Sequence, residues 1–89
     1  MVQIKALIMG KVQGVGFRYF VYDNAIKLGL KGYVRNLNGG VEAVFDGSRE
    51  NIDDVIRIIR TKHPTAMVKT VNVEVIEIEK RFEDFRLKH

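Results

Sequence analysis

Residues 10–18 read Gly-Lys-Val-Gln-Gly-Val-Gly-Phe-Arg, and they separate a strand-like apolar run from the start of a helical pattern. Glycine tolerates positive φ and carries no side chain, so Gly14 and Gly16 can turn successive backbone N–H groups toward one point. The partial positive charge at the start of the following helix favours an anion at that point. Arg18 adds a planar fork of donors that fits phosphate or carboxylate bidentately. The stretch therefore predicts an oxyanion-binding loop.

A glycine-rich connection between a strand and a helix is often only a tight turn, and two better-known phosphate motifs do not fit. The dinucleotide fingerprint requires a small residue where Tyr19 stands and an acidic residue about 20 positions further on, where the sequence has Asn36 and Asn38. A P-loop requires Ser or Thr after its Gly-Lys pair, and Val12 follows Gly10-Lys11 here. An anion in this loop would be bound by another scheme.

Apolar periodicity around the loop predicts several short strands. Four are expected, over 2–9, 32–37, 41–46 and 71–78, with a short edge strand over 82–87. The dipeptide Asn38-Gly39 predicts a hairpin turn between the second and third strands. In the fourth strand the apolar set shifts register at Val75-Ile76, which predicts a bulge there.

Two amphipathic helices complete the pattern. The first ends at Gly29 and Gly32, and Ser48 is a suitable N-cap for the second, which ends at His63-Pro64. The resulting order βαββαβ predicts an α+β ferredoxin-like split βαβ sandwich, with both helices on one face of an antiparallel sheet. The core is expected to include Phe17, Val21, Leu28, Val55 and Ile59.

Composition limits the class of protein. The 89 residues, 46% of them hydrophobic, predict a single domain over 1–89. The chain has no cysteine and only His63 and His89, so we expect no disulfide, no thiolate nucleophile and no metal site. No apolar run approaches the roughly 20 residues of a membrane span, and Met1 leads directly into a strand pattern rather than a signal peptide. We therefore expect a cytoplasmic protein with no membrane partner.

The charge balance gives a weaker indication. A net charge of +4 and a pI near 9.6 suit an anionic partner. The positive residues are scattered along the chain, however, and an ordinary mixed-charge surface explains them equally well.

Simple geometry predicts that Asn36 lies beside Arg18. A helix over 19–29 descends about 16 Å at 1.5 Å per residue, and the extended chain from Gly32 to Asn36 climbs back a similar distance. The first and second strands of a split βαβ unit are parallel, so their carboxyl ends meet at one edge of the sheet, where ligands collect. Alternation puts Arg35 and Asn36 on opposite faces. The sequence leaves open which of the two faces the loop, and whether Asn36 merely shapes the following turn.

The blocks 10–18 and 32–37, the latter reading Gly-Tyr-Val-Arg-Asn-Leu, together resemble the acylphosphatase family. Both match in order and spacing, and the similarity extends through 41–42, 64–68 and 82–87. The resemblance implies hydrolysis of the carboxyl-phosphate bond of acyl phosphates without metal or cofactor. It implies that Asn36 positions the attacking water. It also implies that the phosphate is held by the Arg18 side chain and by the backbone amides of Gly14, Val15, Gly16, Phe17 and Arg18.

Two positions depart from the family pattern. Lys11 stands where the family usually has arginine, which keeps the positive charge. The hairpin after Asn36 is one residue shorter than the usual turn containing Pro-Asp-Gly, and this shortening would alter the position of Asn36.

The chemistry of so sparse a site narrows the substrate class. The predicted site has no histidine, carboxylate or thiol to act as base or nucleophile. An acyl phosphate suits it, because the leaving carboxylate has a conjugate acid of pKa about 4 and needs no general acid at neutral pH. A phosphate monoester, with its poor alkoxide leaving group, would not. We expect a monomer that acts on a small acyl phosphate and binds inorganic phosphate as product and inhibitor.

Two other functions compete with this interpretation. RNA-recognition domains share the fold, but their glycine-and-aromatic motif lies on the third strand, whereas here it precedes the first helix and the third strand reads Val-Glu-Ala-Val-Phe over 41–45. We therefore expect no nucleic-acid partner. The remaining alternative is a regulatory domain that binds an anion in the same loop without turnover.

Overall fold

The strands and helices follow the order βαββαββ along the chain. In this computed structural model, residues 1–14 and 16–88 are described. They form β1 (Val2–Lys11), α1 (Phe17–Lys27), β2 (Lys31–Leu37), β3 (Gly40–Gly47), α2 (Arg49–Thr61), β4 (Met67–Ile76) and β5 (Phe85–Leu87). No helix formed by these residues has both the length and the apolar character needed to cross a membrane.

The sheet has five strands in the order β4-β1-β3-β2-β5. β1 pairs antiparallel with β3 and β4, and β2 pairs antiparallel with β3, so β1 and β2 run in the same direction. The helices lie on one face, which confirms the ferredoxin-like α+β fold. The expected antiparallel sheet is corrected to a mixed one, because β5 runs parallel to β2. The chain leaves β4 opposite the start of β1 and enters β5 opposite the start of β2, at the same end of the sheet.

The core lies between the helices and the alternate residues of the central strands. Each of its members is almost completely buried, among them Ile4, Ala6, Ile8, Val41, Ala43 and Phe45 of the sheet. Of the five predicted core residues, Phe17, Val21, Val55 and Ile59 are confirmed, with exposures of 0–1%.

Leu28 is only partly buried, and Leu30 is buried in the core instead. The reason is the way in which α1 ends. Gly29 adopts a φ of 69°, and the backbone N–H of Leu30 donates to the Ala25 carbonyl at 2.9 Å. This Schellman geometry turns the chain back toward the core one residue after the glycine.

The predicted N-cap and hairpin are both present. The Ser48 hydroxyl accepts a hydrogen bond from the Asn51 backbone N–H at 3.2 Å at the start of α2. Leu37 pairs with Gly40, so Asn38-Gly39 form a two-residue turn between β2 and β3.

The bulge lies at the other end of β4 from its predicted position. Met9 pairs with Thr70 while Gly10 pairs with Val68, so Lys69 is the extra residue. An added Cβ at Gly10 would lie 2.2 Å from the Met67 carbonyl oxygen, so only glycine fits this close approach of the two strands. The apolar shift at Val75-Ile76 has another origin: Ile76 pairs with Gln3 on the sheet face opposite the helices, near the end of a regular strand.

Buried Asp46 fastens the segment between β4 and β5 to the sheet. Its carboxylate accepts hydrogen bonds from Arg81 Nε at 2.8 Å, Gln3 Nε2 at 3.1 Å and the Phe82 backbone N–H at 3.2 Å, and it forms an ion pair with Arg81 Nη2 at 2.7 Å. Burial alone would raise the pKa of Asp46, but these hydrogen bonds outweigh it and hold the pKa below its ordinary value.

The lowered pKa makes part of the stability dependent on pH. Unfolded Asp has a pKa of about 3.9, so the contribution of Asp46 is complete above that pH and is lost as the pH falls through the lower folded value. We expect Asp46→Asn to reduce the free energy of unfolding by about 2–3 kcal/mol at pH 7 and by clearly less at pH 3. Urea unfolding of both proteins at the two pH values measures the difference. An equal difference at both would contradict this account.

Candidate active site

Two glycines with positive φ shape the loop that follows β1. Gly14 has a φ of 76° and Gly16 a φ of 72°, both in the left-handed region. A Cβ added at either position would meet no described atom within 4 Å. Glycine is therefore favoured here by the backbone conformation and not by lack of space. Buried Val12 and Phe17 anchor the loop on its two sides.

The loop leads directly into the start of α1. Gly16 is the N-cap, and its carbonyl accepts the first helical hydrogen bond, from the Phe20 backbone N–H at 3.0 Å. The N–H groups of the first turn have no acceptor within the helix. No side chain among the described residues caps this end, and the first turn carries Arg18 but no acidic residue. The positive end of the helix thus faces the loop.

The loop, the helix start and β2 enclose a small cleft of about 180 Å³. This volume is below the roughly 300–1,000 Å³ of typical ligand pockets and suits a group the size of a phosphate. The described residues that line it are Val12, Gly14, Gly16, Phe17, Arg18, Tyr19 and Asn36. The cleft therefore brings Arg18 and Asn36 together, as the rise along the helix and the second strand predicts. The prediction for Val15 lies outside the described residues.

The structure shows which of the two neighbouring β2 side chains faces the loop. Asn36 pairs with Val41, a core residue of β3, and reaches the cleft on the helix side of the sheet. Arg35 points to the opposite face, where its Nε donates to Glu42 Oε1 at 2.8 Å. The two residues are adjacent in the chain, and the sheet separates their side chains.

Glu42 pairs with the positively charged side chains on that opposite face. It also accepts a hydrogen bond from the Tyr33 hydroxyl at 2.9 Å and lies 3.6 Å from Lys5 Nζ. Burial would raise the pKa of Glu42, but the hydrogen bonds from Arg35 and Tyr33 hold it below its ordinary value. This carboxylate therefore stays ionised and paired away from the cleft, where it would otherwise repel an anion.

Arg18 contacts the end of the neighbouring edge strand. Its Nη1 donates to the Lys88 carbonyl at 2.7 Å. Lys88 is placed by its own backbone N–H, which donates to the Val34 carbonyl at 2.8 Å, and its Nζ lies 4.2 Å from the centre of the Tyr33 ring. The sequence pattern indicated an edge strand over 82–87 but not its direction, so it did not place Lys88 beside the arginine.

The sequence pattern assigned no role to Gln13, although this residue lies within the quoted loop. Its Nε2 donates to the backbone carbonyls of Leu37 and Gly40, the latter at 2.8 Å. The sequence does show a side chain with two amide hydrogens within the glycine loop. It does not show the acceptors, which are 24 and 27 positions away in sequence.

The His63 side chain packs against two aromatic residues at the start of α1. Its ring lies 5.0 Å from the Phe20 ring in an edge arrangement and 5.7 Å from the Phe17 ring. Its Nδ1 accepts hydrogen bonds from the backbone N–H groups of Thr65 and Ala66, at 3.2 and 2.9 Å. The sequence pattern indicated only that His63-Pro64 ends the second helix.

Comparison with known proteins agrees with the fold. A family model described as Acylphosphatase matches residues 4–87. An acylphosphatase of Trichormus variabilis is 45% identical over 80 residues, which cover 89% of this chain and 79% of that protein. The crystal structure of acylphosphatase from Bacillus subtilis has a TM-score of 0.94 at 30% identity and full coverage of both chains. An acylphosphatase structure from Coxiella burnetii has a TM-score of 0.92 at 39% identity, covering 98% of this chain and 92% of the other. The chain belongs to the acylphosphatase family.

Proposed function

We propose that this protein hydrolyses acyl phosphates to a carboxylate and inorganic phosphate in the cleft between the glycine loop and β2. The observation that carries the proposal is the cleft itself, which Arg18, Asn36 and two glycines of positive φ line together. Membership of the acylphosphatase family supports the same reaction.

The phosphoryl group is held by fixed donors. The backbone N–H groups over 14–18, at the positive end of α1, bind its oxygens, and the Arg18 guanidinium adds a planar pair of N–H donors. These donors stabilise the charge that builds on the phosphoryl oxygens in the transition state. The backbone donors belong to the main chain, so in this proposal they need no change of side-chain rotamer when the substrate arrives.

Asn36 positions the nucleophile. Its side-chain amide binds a water molecule and directs the oxygen at phosphorus, opposite the acyl oxygen. The new bond joins the water oxygen to phosphorus, and the bond between phosphorus and the acyl oxygen breaks with its electron pair passing to the carboxylate. The protons of the water remain with the phosphate product or pass to solvent. A carboxylate with a conjugate-acid pKa of about 4 leaves without a general acid, so the sparse set of side chains in the cleft is sufficient.

We further propose that the reaction uses no metal or cofactor and that the protein acts as a monomer on a small substrate. Benzoyl phosphate should be hydrolysed at an unchanged rate after treatment with EDTA, and inorganic phosphate should inhibit competitively because it occupies the same donors. A spectrophotometric assay with and without EDTA tests the first point, and the same assay at several concentrations of inorganic phosphate tests the second. Phosphate binding without any turnover would instead identify an anion-binding regulatory domain.

Replacement of Arg18 tests the phosphate-binding role. We expect Arg18→Ala to raise KM and to lower kcat by about 10²–10³-fold, the usual cost of removing one donor to a developing anion. Arg18→Lys should also fail, because an ammonium group does not reproduce the planar fork. Steady-state kinetics with benzoyl phosphate measure both effects. Lysine restoring the parental rate would refute the bidentate role.

Replacement of Asn36 tests the positioning of water. We expect Asn36→Ala to lower kcat strongly while leaving the inhibition constant of inorganic phosphate within about twofold, because the phosphate donors stay in place. Asn38→Ala is the matched control: it removes the same side chain two positions further on, in the exposed turn. Parental activity in Asn36→Ala, or an equal loss in the control, would contradict the assignment.

A further inference from the structure

We propose that Gln13 is a positioning residue that holds Asn36 in the cleft by fastening the β2–β3 turn to the glycine loop. The inference rests on the proposed function and adds a third side chain to it. Gln13 does not line the cleft and acts through the backbone that carries Asn36.

The contacts of Gln13 join two parts of the chain. Its Nε2 donates to the carbonyl of Leu37 and to that of Gly40, at 2.8 Å for the latter. A primary amide nitrogen has two hydrogens, one for each acceptor. Leu37 and Gly40 pair with each other and enclose the two-residue turn. One side chain of the loop therefore holds both ends of the turn.

The two carbonyl groups that Gln13 binds lie directly beside Asn36 and its partner in β3. Leu37 follows Asn36 in β2, and Gly40 precedes Val41, the residue with which Asn36 pairs in β3. Any rotation of this last pair of the ladder would change the direction of the Asn36 side chain. The hydrogen bonds of Gln13 oppose that rotation, and they do so from the same loop that is proposed to bind the phosphate.

The turn is held on its other side by β1. An added Cβ at Gly40 would lie 2.4 Å from the Ile8 carbonyl oxygen, so the start of β3 packs closely against β1. The end of β2 has no strand beyond it at this level, because the pairing of β5 with β2 extends only from Gly32 to Val34 in the described residues. Gln13 therefore holds the end of β2 at a level where β5 does not pair with it.

The chemistry of the contact requires a donor. Gln13→Glu keeps the shape of the side chain but presents carboxylate oxygens to two carbonyl oxygens, which repel them. Gln13→Ala removes the contact without repulsion. Because the Gln13 side chain is largely exposed, both variants are expected to fold, and a urea unfolding curve verifies this.

The first measurement separates positioning of water from binding of phosphate. We expect kcat for benzoyl phosphate to fall about 10- to 100-fold in both variants, the cost of a misplaced reacting group. The inhibition constant of inorganic phosphate should stay within about twofold. Weakening of phosphate binding in proportion to kcat would show that Gln13 shapes the loop instead, and would overturn the inference.

The other glutamine of the chain provides the matched control. Gln3 Nε2 also donates to two acceptors, Asp46 Oδ2 at 3.1 Å and the Lys80 carbonyl at 2.9 Å, at the opposite end of β1. Gln3→Ala should lower the free energy of unfolding and leave kcat unchanged. A loss of kcat in Gln3→Ala as large as that in Gln13→Ala would show a general effect of weakened folding and overturn the inference.

A double-mutant cycle completes the test. If Gln13 acts through Asn36, then Gln13→Ala should cause no further loss of kcat in the Asn36→Ala background. The signals of the Asn36 side-chain amide in a ¹⁵N correlation spectrum should also shift in Gln13→Ala without substrate. Multiplicative losses with an unmoved Asn36 signal would overturn the inference while the proposed function stands. A parent protein that hydrolyses no acyl phosphate would overturn both.

Discussion

The site depends on the parallel direction of β1 and β2, with β3 between them. Because both strands end at the same edge of the sheet, the loop after β1 and the turn after β2 meet there without any long connection. The alternation of β2 then sends Asn36 to the helix side and Arg35 to the other. The sheet thereby sorts the charges: the guanidinium of Arg18 lies with the helix start, and the carboxylate of Glu42 lies behind the sheet with its own partners.

Much of this arrangement can be read from the sequence, because it depends on local rules. The positive φ of Gly14 and Gly16, the N-cap at Ser48 and the turn at Asn38-Gly39 each follow from the residue that adopts the conformation. The meeting of Arg18 and Asn36 follows from the rise per residue of a helix and of a strand. Such features need no knowledge of the rest of the chain.

The features that the sequence did not indicate are those set by distant packing. The bulge lies at Lys69 and not at Val75-Ile76, because it accompanies the close approach of Gly10 to β4. Leu30 replaces Leu28 in the core because the end of α1 turns at Gly29. The contacts of Arg18 with Lys88 and of Gln13 with the turn join residues far apart in sequence, and no periodicity reports them. The choice between Arg35 and Asn36 needed the register of β2 against β3.

The bulge also affects whether another strand can add to the β4 edge of the sheet. β4 lies at the edge of the sheet and exposes half or more of Val73 and Val75, which makes it the natural place for a foreign chain to add. The extra residue at Lys69 breaks the regular ladder near the start of the strand and places a positive charge there. Growth of the sheet by strand addition is thereby obstructed near Lys69, by the same local irregularity that admits Gly10.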